Sequence, residues 1–278
     1  MRRSRWRTAL GAAALTLSFA AAPAGAATDS DTRAWPTSMA ALGDSISRAF
    51  DACGFFVDCP PRSWSTGIDE DVNSQRMRLA AASGHDVAAV NLAHTGVRVQ
   101  ALADQVAAAV AEHVDYVTIG IGANDACANG VGDMTSMLTF RTQLRAALHD
   151  LAHGLPTARV QIISIPDLNR LWQIGHTHPM ARFTWKKGHI CQSLLADPAG
   201  TSAEDGARRD AVGRRVDAYN AELAAACTDY GPNCRWDGGA VHNTRFTFHQ
   251  LSKWDYFHPN VYGQQALAEI TWRAGFFA

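Results

Sequence analysis

The chain has 278 residues, with 25 Lys and Arg against 26 Asp and Glu and a formal net charge of −1. Arg2, Arg3, Arg5 and Arg7 stand at its start, so the rest carries 21 bases against 26 acids, a formal charge of −5. That balance argues against nucleic-acid binding through a basic surface.

The first 26 residues combine this basic segment with an apolar run from Ala9 to about Ala22 and a small-x-small Ala24-Gly25-Ala26. They read as a secretory signal peptide, and the protein is expected to be secreted and extracellular. The apolar run falls short of the about 20 residues that span a bilayer, so no stable membrane insertion is expected. Residues 27–36 read as a short exposed leader, and 37–278 as a single α/β domain, expected to be a monomer.

Short apolar runs at 38–42, 87–92, 116–121 and 160–165, and a weaker one at 235–241, read as buried strands. Helical spacing occupies 72–82, 99–113, 134–153, 207–227 and 261–274. The alternation predicts a parallel sheet covered by helices on both faces, with functional groups at the carboxyl ends of the strands. Polar or glycine-bearing clusters follow the first three strands: Gly43-Asp44-Ser45, His94-Thr95-Gly96 and Gly122-Ala123-Asn124-Asp125. Residues 166–204 lack strong periodicity and hold Trp172, Met180, Phe183 and Trp185. This aromatic insertion reads equally as a functional lid or as a structural insertion with its own small core.

Six cysteines in an exported chain suggest disulfides. Cys53–Cys59 and Cys227–Cys234 are close enough in sequence to close small loops, which leaves Cys127–Cys191. The rival is a metal site joining Cys191 to His176, His178 and His189, but these lack a familiar zinc spacing, and no metal is expected.

Ser45 directly follows a strand at the start of a short helix, where free backbone N–H groups can hold a developing oxyanion. The alternative makes it a helix N-cap. Asp255 and His258, three apart before the last helix, can place a carboxylate against an imidazole; the alternative is a turn cap and a surface histidine. Asn124 offers an amide donor and Gly96 a close backbone N–H, or each simply belongs to a turn.

The order of these blocks resembles the GDSL/SGNH serine hydrolase family. Gly43-Asp44-Ser45 matches its nucleophile block, with Ile46 where leucine is usual. Gly96 falls at its oxyanion glycine, Gly122-Ala123-Asn124-Asp125 matches G-x-N-D, and Asp255-x-x-His258-Pro259 matches D-x-x-H. The resemblance, most specific to secreted actinobacterial esterases and lipases, covers roughly residues 38–275. It implies a three-layer α/β/α flavodoxin-like fold with a five-stranded parallel sheet in the order 2-1-3-4-5. It implies ester hydrolysis through an acyl-enzyme on Ser45, with His258 as base, Asp255 orienting it, and Ser45, Gly96 and Asn124 holding the oxyanion. No cofactor is required by this chemistry. No Gly-x-Ser-x-Gly elbow is present, and Gly120-x-Gly122 lacks the third glycine of a dinucleotide fingerprint.

The substrate is expected to be an ester, lipid-like in character, cleaved by a carboxylesterase, a lipase or a phospholipase A. A carbohydrate or cell-wall O-acetyl esterase and a catalytically silent binding module are the alternatives. Trp64, Trp172, Trp185 and Trp254 read either as an acyl groove or sugar platform, or as core.

Overall fold

The computed structural model describes Met1 and residues 35–278. The expected signal peptide, and the leader up to residue 34, lie outside the described residues. Trp35 and Pro36, expected in the leader, belong to the body of the domain. Pro36 is buried and Trp35 stacks on Phe277 at 5.2 Å between ring centres.

Five strands build one parallel sheet: β1 (Ser38–Gly43), β2 (Ala88–Asn91), β3 (Tyr116–Gly120), β4 (Arg159–Ile162) and β5 (Cys234–Trp236). Their spatial order is 2-1-3-4-5. The helices are α1 (Ser45–Arg48), α2 (Gln75–Ser83), α3 (Leu102–Ala111), α4 (Ala123–Ala126), α5 (Met137–Gly154) and α6 (Leu168–Gly175). They continue as α7 (Pro179–Lys187), α8 (Gln192–Leu195), α9 (Ala203–Tyr230), α10 (Ala240–Asn243) and α11 (Val261–Arg273).

Side chains alternate across each strand, so the central strands face a core on each side of the sheet. Leu42, Val117, Ile119, Val160 and Ile162 pack against Val106 of α3, Leu144 and Leu148 of α5, and Val216 and Leu223 of α9. The opposite face meets α2 and α11 through Met39, Leu79 and Tyr116 in one cluster and Trp64, Ile163 and Leu267 in another. This second face also buries polar groups. Gln161 accepts from the Tyr116 hydroxyl at 2.5 Å and donates to the Thr271 carbonyl at 2.7 Å, so its burial is satisfied.

Two sequence expectations change. The fifth strand was expected over 235–241 but stops at Trp236. The next residue, Asp237, turns its carboxylate onto the N–H groups of Ser164, Gly239 and Val241, and Gly238 and Gly239 adopt positive φ before α10 begins. The insertion at 166–204 is helical rather than irregular. Its helices are too short for the periodicity to register, and the first two start at local signals. Asp167 caps α6, and His178 caps α7 with Pro179 in the first turn.

Disulfides join Cys53 to Cys59, Cys127 to Cys191 and Cys227 to Cys234. The second staples the insertion to the segment after β3, beside the bond from the Ser193 hydroxyl to the Ala126 carbonyl at 2.7 Å. With its sulfur in that bond, Cys191 is no thiolate ligand. His176 instead stacks on Trp172, and His178 packs against Phe248. The Cys191–histidine metal reading is therefore overturned. Among the described residues no helix is long and apolar enough to cross a membrane.

Candidate active site

The chain runs from β1 to β2 on one side and returns to β3 on the other, so a crevice opens at the carboxyl ends of β1 and β3. Ser45 follows β1 and Asn124 follows β3. The turn into Ser45 depends on Gly43, which adopts φ +131° where a side-chain carbon would lie 2.0 Å from the Gly120 carbonyl oxygen. Buried Gln105 braces this glycine from both sides. It accepts from the Gly43 N–H at 2.7 Å and donates to its carbonyl at 2.9 Å.

Asp44, not Ser45, is the N-cap of α1, with its carboxylate accepting from the Ile46 N–H at 2.9 Å. The Ser45 hydroxyl is thereby free of the capping role. Burial pushes the Asp44 carboxyl up to about 7, against the opposing pull of the Ile46 N–H and of His258. Ser45 is itself 4 % exposed.

His258 arrives on a loop without regular secondary structure. Its Nε2 lies 2.8 Å from Ser45 Oγ and its Nδ1 lies 2.5 Å from Asp255 Oδ2. The other oxygen of Asp255 accepts from the backbone N–H groups of Phe257 and His258 at 2.8 and 3.0 Å. One carboxylate therefore folds the loop and orients the ring. The loop is closed by a bridge between Leu251 and Pro259 and by the Ser252 N–H donating to the His258 carbonyl at 2.8 Å. It is anchored from the insertion by Trp185, which donates to the Tyr256 carbonyl at 3.2 Å.

Burial alone would push His258 down, but the Asp255 hydrogen bond and charge outweigh it and hold the imidazole above its ordinary value. Burial would push Asp255 up, but His258 and the two N–H groups hold it below the usual carboxylate value. A nucleophile, a base and an orienting acid in hydrogen-bonded sequence can pass a hydroxyl proton to the ring and stabilise the resulting imidazolium.

Asn124 lines the same cavity as Ser45 and His258. One of its amide hydrogens goes to the Val97 carbonyl at 3.0 Å, which fixes the side chain and leaves the second donor for the crevice. Gly96, at φ +81°, does not line that cavity. It is placed nearby through its neighbours, with the His94 N–H on the Gly43 carbonyl at 3.1 Å and Val97 under Asn124.

The cavity is narrow, about 70 Å³, and its walls are largely apolar: Ile46, Leu171, Ile174, Leu251, Leu267 and the ring of Phe257. The insertion contributes α6 to this wall. None of Trp64, Trp172, Trp185 and Trp254 lines it. Trp64 and Trp185 are fully buried core, and Trp172 packs on the Arg209 guanidinium at 3.9 Å, so the tryptophan groove is not formed.

Sequence reasoning did not single out Asp51. It is 2 % exposed, and its carboxylate lies with that of Asp255 and the ring of His258 in a set whose ligand-type atoms are all within 4.8 Å of one another. Its signal in sequence is nil, because it is brought there by a left-handed turn at φ +60° and by a contact across about 200 residues.

A doubly wound parallel sheet carrying a buried Ser–His–Asp chain at its switch point defines a hydrolase of the serine type. The family model described as GDSL-like Lipase/Acylhydrolase matches residues 39–271, and the chain belongs to that family of ester-hydrolysing enzymes. No curated protein sequence matches the chain. Among solved structures, it is similar in fold to an extracellular lipase from Streptomyces rimosus, at 20 % identity and TM-score 0.54, over 86 % of this chain and 100 % of that one. It is also similar to an acetylxylan esterase from Geobacillus stearothermophilus, at 17 % identity and TM-score 0.53, over 86 % and 94 % of the two chains.

Proposed function

We propose that this ester hydrolase is a secreted lipase or carboxylesterase that acts on esters of apolar acyl chains. Ser45 attacks the ester carbonyl while His258 takes its proton, and Asp255 holds the ring and stabilises the imidazolium. The N–H groups of Ser45 and Gly96 and the amide of Asn124 stabilise the oxyanion. His258 then protonates the leaving alcohol, and the acyl-enzyme is released by a water that the same ring activates.

The observation that carries the choice of substrate is the aliphatic cavity beside Ser45. An acyl chain leaving water for such walls gains about 0.8 kcal/mol per buried methylene, a gain that an acetyl group, with no methylene, does not make. Polysaccharide platforms are usually aromatic, and the tryptophans are directed elsewhere. The similarity to an acetylxylan esterase keeps acetyl-ester cleavage as the second reading. Export is supported by the basic and apolar N-terminal sequence and by three disulfides in one domain.

Hydrolysis of p-nitrophenyl esters from acetate to palmitate, beside Ser45→Ala, tests the reading. We expect kcat/KM to rise with chain length beyond acetate and to be lost in Ser45→Ala. Turnover confined to acetate would transfer the assignment to the acetyl-esterase reading, and full activity in Ser45→Ala would remove the serine mechanism.

A further inference from the structure

Behind the Asp255–His258 pair stands a second buried acid with no evident role in the reaction. Among the described residues neither carboxylate oxygen of Asp51 has a hydrogen-bond partner, although both atoms are shielded from solvent. A buried ionised carboxylate without donors is costly, and more so beside another carboxylate. One proton placed between the two acids removes both penalties, because a carboxylic acid is a donor where a carboxylate is not.

We propose that Asp51 is a positioning residue of the active site that shares a proton with Asp255, donating a hydrogen bond that steadies the carboxylate on which His258 turns. The inference rests on the Ser45–His258–Asp255 reading above. The local backbone is committed to this placement. Asp51 adopts φ +60°, a conformation costly for most side chains and tolerated best by Gly, Asn and Asp. Its N–H donates to the Val57 carbonyl at 2.9 Å, inside the loop that Cys53–Cys59 closes. Its carbonyl accepts from the Ser252 hydroxyl at 3.0 Å, so the histidine loop is tied to the same residue whose side chain faces Asp255.

The electrostatic setting agrees with a shared proton. Burial, and then the neighbouring Asp255 charge, push the Asp51 carboxyl up, against the opposing pull of the His258 charge. On its far side a cavity of about 550 Å³ also meets Arg62, His249, Lys253, Tyr256 and Tyr262. Arg62 is already spent on Asp69 and the Ala52 carbonyl, at 2.8 Å each, and Lys253 lies over the Trp254 ring. When the ring takes up its proton, Asp51 can release its own, and its charge then joins that of Asp255 in holding His258 up; Asn cannot do this, so in Asp51→Asn the imidazole should lose its proton at lower pH.

The test compares Asp51→Asn and Asp51→Leu by kcat, KM and pH profile on a soluble p-nitrophenyl ester, with folding checked by circular dichroism. Asn keeps a donor and tolerates the left-handed turn, but does not titrate. It is expected to hold kcat near wild type while its acid limb in kcat/KM moves to lower pH. Leu removes the donor and should lower kcat by roughly tenfold or more, the value of a hydrogen bond to a charged group, with KM little changed. Equal kcat in the two variants, or an Asp51→Asn profile superimposed on that of wild type, overturns the proposal. Should Asp51→Leu fail to fold, the Asn profile alone still decides it. Ser45→Ala separates the two readings: if it is inactive while the Asn profile is unmoved, only the role of Asp51 falls.

Discussion

The proposed nucleophile and its proposed base are held in different ways. Ser45 sits on a turn whose backbone is fixed by the sheet itself, through the contact of Gly43 with Gly120 and the two bonds from Gln105. His258 sits on an irregular loop closed by the Leu251–Pro259 bridge and tied down by side chains: Asp255 folding its own neighbours, Ser252 reaching the Asp51 carbonyl, and Trp185 reaching the Tyr256 carbonyl. A site built this way concentrates rigidity at the atom that attacks and leaves the proton carrier dependent on hydrogen bonds. Damage to the first region should appear as lost fold, and damage to the second as lost rate.

The sharpest way to separate them is Asp255→Ala. The variant removes the ring's orienting partner and the loop's internal acceptor, and should lower kcat by roughly 10³–10⁴-fold, in line with losses seen when a triad acid is removed. Stopped or steady-state assays on a short-chain ester measure it, with the melting transition checked in parallel. A loss below about tenfold would mean that another group orients His258.

Gly43→Ala probes the other region. The added carbon would meet the Gly120 carbonyl, a backbone atom that cannot swing away, in a conformation that L-residues rarely adopt. A destabilisation of about 3 kcal/mol or more is expected by urea unfolding. Unchanged stability with lost activity would reverse the assignment of roles to the two regions.

The same contrast explains what could be read from the sequence. β1 was legible because it is buried on both faces and spells the continuous apolar run Met39–Leu42, and β3 and β4 because Val117 and Ile119, and Val160 and Ile162, alternate onto one core. Ser45, Asn124, Asp255 and His258 were legible as blocks in order, and the structure brings Ser45, Asn124 and His258 to one crevice with Asp255 on the far nitrogen of His258. β5 was overrun because nothing in its hydropathy announces that Asp237 will collect three N–H groups. The insertion hid its helices because α6, α7 and α8 span at most nine residues. Asp51 was invisible for a deeper reason: its meaning lies in a through-space neighbour, and a lone acid after a phenylalanine carries no pattern.

The smallest effect is a displacement in pH. His258 is held above its ordinary value of 6.5, and the reaction needs the ring deprotonated, so the acid limb of kcat/KM should lie above that of a free imidazole. Stability runs the other way. A histidine with a raised folded pKa contributes stability that is complete below about pH 6.5 and lost as pH rises through the folded value. Asp44 acts in the same direction, since its unfolded form loses a proton near 3.8 and its folded form near 7. The depressed Asp255 contributes above about 3.8 and loses its part only as pH falls through its folded value. Tm should therefore decline across the interval in which activity appears. Asp255→Asn removes the pairing and leaves Asp44 intact, so its Tm should decline less steeply over that interval. Parallel Tm curves for the two proteins would show that the Asp255–His258 pair contributes nothing to the pH dependence, and that Asp44 and the rest of the fold carry it alone.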